Sequence, residues 1–123
     1  MIIMDIVEQL ADAFLNGDEQ LQFVYHRITQ EIDVLNPYEM DWEDDENLEL
    51  IPYKNSRAMY EVMVNFTEQF EGETEQALFL ALNSKKPFRA FKDAAEEVGV
   101  LNAWYNFELA YAKQQMREWL ETL

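Results

Sequence analysis

A chain of 123 residues, 49% apolar and 14% aromatic, has the material for one packed domain and is too apolar for a disordered acidic tail. It contains no cysteine, which excludes disulfides, thiol nucleophiles and Cys-based zinc sites. Its 25 acidic and 9 basic residues give a net charge of −16, which disfavours nucleic acid and anionic lipid as general partners, because both need a basic surface.

The N-terminal stretch MIIMDIVEQLADAF has no basic region and is broken early by Asp5 and Glu8, so it does not read as a signal peptide. No apolar run approaches the ~18 residues a membrane span needs. A cytoplasmic protein with no membrane contact is the expectation. Ile3, Ile6, Val7, Leu10 and Phe14 recur at three- and four-residue steps, which predicts an amphipathic helix over 3–16. Asn16-Gly17 is its expected stop, through a left-handed cap. From Leu21 to Leu35 the period changes. Leu21, Phe23 and Tyr25, then Ile32 and Val34, alternate about a polar centre, which predicts a β-hairpin turning near Thr29-Gln30. Two strands alone are marginal in water, so the hairpin must lie on helices or pair with a further strand. Asn36-Pro37 is a turn signal, and seven of the eleven residues from Glu39 to Glu49 are acidic, which reads as a solvated loop.

The remainder is helical. Met59, Met63, Phe66 and Phe70 form one stripe with Val62 beside it, behind a cap at Asn55 or Ser56 and ending at Gly72. Ala77, Leu78, Ala81 and Leu82 face inward from a shorter helix. Pro87 suits the first turn of the next helix, which begins near 84–87, buries Phe88, Phe91, Ala95 and Val98, and ends at Gly99. Asn102 caps a last helix reaching about Thr122, with Tyr105, Leu109, Ala112, Met116 and Trp119 on one stripe and Trp104, Phe107 and Tyr111 on another. The expected fold class is α+β and mostly helical: an N-terminal helix and β-hairpin (1–35), an acidic loop (36–53), then a bundle of about four helices (54–123), all in a single domain.

The run Pro87-Phe88-Arg89-Ala90-Phe91-Lys92, the pair Trp104-Tyr105 and the terminal Trp119-Leu120 resemble the C-terminal signature of a bacterial family of unknown function, uncharacterised protein family 0158. The order of parts is similar too, including a helix opened by Arg57. Where the family pattern usually has Gly in the hairpin turn, this chain has Gln30. The resemblance implies the same fold and a bacterial origin. It implies no activity, because the family has none assigned.

Four of the nine basic residues, Lys85, Lys86, Arg89 and Lys92, fall within eight positions and are threaded between Phe88 and Phe91. Such a strip can hold a phosphate, a carboxylate or a base. The alternative is architectural: the two Phe side chains are core, and the cations pair with Asp93 and Glu96-Glu97 on the same helix or with the C-terminus of the preceding one. The acidic run lacks the central Gly of a calcium loop, and Pro52 stands where the bidentate Glu would be. No metal site and no cofactor are expected. His26, the one histidine, has Asp33 across the hairpin to orient it and Thr29 nearby, but a ribbon is a poor frame for catalysis, and a surface or cross-strand role is expected. Three glycines cannot make a phosphate-binding loop, and no nucleophile signature occurs.

No catalytic constellation is therefore visible, and a non-enzymatic protein-interaction or regulatory domain is the leading expectation. Its contact surfaces would be the hairpin edge and the last helix, with Trp104, Phe107 and Tyr111 as interface aromatics and Tyr105 and Trp119 as core. Its partner would be another protein or a second copy. Two alternatives stand beside it: an anion- or nucleotide-binding module around Arg89 and Lys92, and an acidic nucleic-acid mimic using residues 39–49.

Overall fold

The computed structural model describes residues 5–36, 38 and 44–123. These contain five α-helices and three β-strands in the order α1 (Ile6–Asn16), β1 (Phe23–His26), β2 (Ile32–Val34), β3 (Leu48–Leu50), α2 (Ser56–Thr67), α3 (Glu73–Leu82), α4 (Pro87–Glu97) and α5 (Leu101–Glu121). The class is α+β and mostly helical, as the periodicities require. The chain divides into two compact units, one made of Met1–Lys54 and Ala112–Leu123, the other of Asn55–Tyr111.

In the first unit α1 is capped by Asp5, whose carboxylate accepts the Glu8 N–H at 2.8 Å. Leu10, Ala11, Ala13 and Phe14 are its buried residues. The helix stops at Gly17, but not by a left-handed cap: φ is −76° there. Glycine is required for closeness instead. A Cβ at Gly17 would lie 2.9 Å from both the Ala13 carbonyl oxygen and the Tyr53 Cβ.

The sheet corrects the sequence reading in one respect. It has three antiparallel strands in the order β2-β1-β3, so the ribbon finds its third strand within its own chain. Leu48 to Leu50 were expected in the acidic loop and form β3 instead. The signal was the alternation Leu48, Glu49, Leu50, masked by the carboxylates before it. The register pairs Phe23 with Val34, Val24 with Asp33 and Tyr25 with Ile32 on one side of β1, and Val24 with Leu50, Tyr25 with Glu49 and His26 with Leu48 on the other. Alternation then puts Phe23, Tyr25, Ile32 and Val34 on one face and Val24, His26, Asp33 and Leu50 on the other. Val24 and Tyr25 are buried, and Tyr25 meets Trp119 edge to face with centroids 5.8 Å apart. The hairpin turns over Arg27–Gln30, where the Gln30 N–H bonds to the His26 carbonyl and Gln30 itself is left-handed at φ 62°.

The second unit is helical. Asn55 caps α2 by accepting the Ala58 N–H at 3.1 Å, and Met59, Val62, Met63 and Phe66 form its buried stripe as expected. The buried Thr67 hydroxyl is satisfied by the Met63 carbonyl at 2.8 Å. Leu78, Ala81 and Leu82 are the buried residues of α3. Pro87 is the first residue of α4, where its missing N–H costs nothing. At its other end the Val100 N–H reaches the Ala95 carbonyl at 2.8 Å around Gly99 at φ 80°, the six-to-one closure that a left-handed residue permits. The last helix begins at Leu101, so Asn102 is an ordinary exposed residue of its first turn rather than the cap.

The core of this unit is an aromatic cluster. Phe66 packs edge to face on Phe91 at 6.2 Å, Trp104 at 5.5 Å and Phe70 at 5.0 Å, and Phe91 meets Trp104 at 5.1 Å. These are the tilted geometries that ring quadrupoles prefer. Trp104 is fully buried, so its expected place in an interface is wrong. The reverse holds for Tyr105, expected in the core and 45% exposed. One helical step separates the two, and the helix turns its Trp104 side to Phe66 and Phe91. Phe107 is half-buried, tilted against Phe66 at 5.3 Å, and Tyr111 is half-buried. Phe88 lies at the edge of its stripe, 37% exposed rather than buried.

Candidate functional site

Two features stand out, one in each unit. The first is the outer edge of β2. The bonds Leu35 N–H to Gln22 C=O and His26 N–H to Glu31 C=O, both 2.8–2.9 Å, fix the phase of the β1–β2 ladder. Asp33 therefore sits in a hydrogen-bonded pair with Val24, whereas Ile32 and Val34 sit in non-hydrogen-bonded pairs. The N–H and C=O groups of Ile32 and Val34 consequently point away from β1. Among the described residues no strand pairs with that edge. Val34 is 52% exposed, and Ile28 at the hairpin tip is 76% exposed.

Beside this edge runs an open groove of about 260 Å³, lined by Gln9, Asp12, Ala13 and Asn16 of α1, Phe23 of β1 and Ile32 of β2. Its floor is apolar, from Ala13, Phe23 and Ile32, and its rim is polar. The Asn16 amide is turned back onto the Asp12 carbonyl at 2.8 Å, while the Asp12 carboxylate is exposed and makes no ion pair among the described residues. The volume lies below the roughly 300–1,000 Å³ usual for small-molecule pockets and suits one or two side chains.

The second feature is the basic run. Lys85 and Lys86 occupy the α3–α4 turn, and Arg89 and Lys92 lie one turn apart on α4. All four are exposed, and none takes part in an ion pair among the described residues. The expected pairing with Asp93 and Glu96 is absent. The physical reason is orientation: Arg89 to Asp93 and Lys92 to Glu96 run base before acid at i,i+4, the weaker direction on a helix.

The remaining candidates are dispersed. His26 Nε2 is 2.9 Å from Asp33 Oδ2 across the hairpin, as the cross-strand reading required. The Thr29 hydroxyl instead accepts the Glu31 N–H at 3.4 Å and supplies no nucleophile to that pair. Of the acidic run, residues 39–43 lie outside the described residues. Within the rest, Asp45 accepts the Asn47 N–H at 2.9 Å and Glu49 lies 3.8 Å from Arg27. No group of three or more potential metal ligands converges among the described residues. No helix among them is long and apolar enough to cross a membrane. The groove beside β2 escaped the sequence reading, because Gln9, Asp12 and Asn16 meet Ile32 only through tertiary packing.

Comparison with known proteins found no matching family model, no matching curated protein and no matching solved structure.

Proposed function

We propose that the protein is a non-enzymatic interaction domain that takes an extended segment of a partner protein as a fourth strand beside β2. The observation that carries this reading is the outward-facing backbone of Ile32 and Val34 next to the groove of α1. Strand addition draws affinity from main-chain hydrogen bonds and specificity from pockets that receive alternate side chains. Here one apolar side chain of the partner rests on Ala13, Phe23 and Ile32. A Lys or Arg reaches Asp12, whose carboxylate makes no ion pair among the described residues. The charge of the first unit supports a basic segment: it holds sixteen of the 25 acidic residues and four of the nine basic ones, leaving it at −12. Kinship with uncharacterised protein family 0158, on the residues given above, is part of the same proposal and adds no activity to it. A solved member of that family with a different strand order would remove it.

The test is selection from a displayed library of random twelve-residue peptides, with affinities measured against Val34→Pro and Asp12→Asn. Proline at 34 removes an outward donor without touching the β1–β2 ladder, where edge positions tolerate it. The expected result is enrichment of β-branched and Lys- or Arg-containing peptides. Their binding should fall at least tenfold with Val34→Pro and lose its preference for the basic residue with Asp12→Asn. An absence of enriched peptides, or peptides indifferent to Val34→Pro, overturns the proposal.

A further inference from the structure

The basic run on α4 is placed where the isolated protein gains least from it. Helix N-termini carry partial positive charge, so cations there are disfavoured and carboxylates preferred. In α4 the order is reversed: Lys85 lies just before it, Lys86 at its cap and Arg89 in its first turn, Lys92 follows in its middle, Asp93, Glu96 and Glu97 come after them, and its first turn has no acidic residue. Lys86 at the cap position provides no side-chain hydrogen bond. None of the four cations is offset by an ion pair among the described residues, although the chain has 25 carboxylates. Phe88, 37% exposed, lies one turn before Lys92 and gives the same surface an apolar patch.

We infer that this face of α4 is a docking surface for an acidic peptide segment carrying an apolar side chain, distinct from the strand-adding edge of β2. Charge complementarity names the occupant. Carboxylates of the segment meet Lys85, Lys86, Arg89 and Lys92, and its apolar residue covers Phe88. A nucleic acid is the poorer fit, because it gains its affinity from an extended basic surface, and the four cations here fall within eight positions. The order of charge along α4 then has a purpose: a bound acidic segment complements the helix start that the chain itself leaves positive.

The experiment is fluorescence anisotropy with three labelled probes at 50 mM salt: a sixteen-residue Glu-rich peptide with Leu at every fourth position, the same peptide with Leu replaced by Ser, and a single-stranded oligonucleotide of equal charge. The Glu/Leu peptide is expected to bind, to weaken at least fivefold without its Leu residues, and to weaken at least tenfold with Arg89→Gln/Lys92→Gln. Both substituted residues are exposed, so the variant retains its fold, which circular dichroism verifies. Val34→Pro is expected to leave this binding unchanged, which separates the result from that of the β2 edge. No binding, binding indifferent to Arg89→Gln/Lys92→Gln, or tighter binding of the oligonucleotide overturns the inference.

Discussion

Gln30 holds a backbone conformation that few side chains accept. At φ 62° its Cβ crowds its own backbone, a cost of order 1 kcal/mol that glycine avoids. Its side chain makes no hydrogen bond among the described residues that would offset this. Gln30→Gly is therefore expected to stabilise the protein by about 1 kcal/mol, seen as a melting temperature a few degrees higher by thermal denaturation; an unchanged or lower value would show that the turn is not strained. Trp104 presents a different tension. Its indole Nε1 is buried without a hydrogen-bond partner among the described residues, amid Phe66, Phe91 and Phe107. An unsatisfied buried donor costs about 1–3 kcal/mol, so Trp104→Phe removes a penalty while it opens a small cavity. We expect that variant to lose under about 2 kcal/mol in urea denaturation, against about 3–5 kcal/mol for Phe66→Ala. Equal losses would mean that the indole N–H is satisfied. The burial of Trp104 was not legible in the sequence, because two apolar stripes on α5 left its inward side ambiguous. Only the positions of Phe66 and Phe91 decide it.

At the scale of elements, periodicity was a reliable guide where it was long. The stripe of α2 and the proline start of α4 follow directly from residue spacing. It failed for β3, whose three residues are too few for a period and follow a dense run of carboxylates. It failed also at Gly17, where the reason for glycine is the approach of Tyr53 rather than backbone sign. Gly17→Ala forces a methyl against the Ala13 carbonyl and the Tyr53 Cβ, and one of them must shift. The expected loss is about 1–3 kcal/mol, measured by chemical denaturation, which is the range for overpacking. A neutral Gly17→Ala would indicate that the chain before Tyr53 gives way freely. The edge of β2 belongs to this scale as well. Its availability follows from the register of a hairpin, which the sequence indicated, combined with a third strand on the other side of β1, which it did not.

For the whole molecule the dominant quantity is charge. Twenty-five carboxylates against nine cations repel one another, and among the described residues two pairs of Arg or Lys with a carboxylate, Arg27–Glu49 and Lys113–Glu8, offset them, each partly exposed. Exposed pairs of this kind contribute little, so salt has little to weaken and much repulsion to screen. Raising sodium chloride from 50 to 500 mM is expected to raise the melting temperature by several degrees, and a fall would show that attractive pairs outweigh the repulsion. The proposed strand addition draws on the same excess for its basic segment, and the proposed acidic segment draws on the cluster at α4.

Strand addition requires the outer edge of β2, unpaired among the described residues, to be open, and amide hydrogen exchange followed by NMR reports it residue by residue. In the protein alone, the Asp33 amide, bonded to β1, and the Leu35 amide, bonded to Gln22 just before it, should be protected, and those of Ile32 and Val34 should exchange rapidly. With a selected peptide at saturation, exchange at Ile32 and Val34 should slow at least tenfold. Protection at both before any peptide is added, or no change at either once it is bound, would contradict the account.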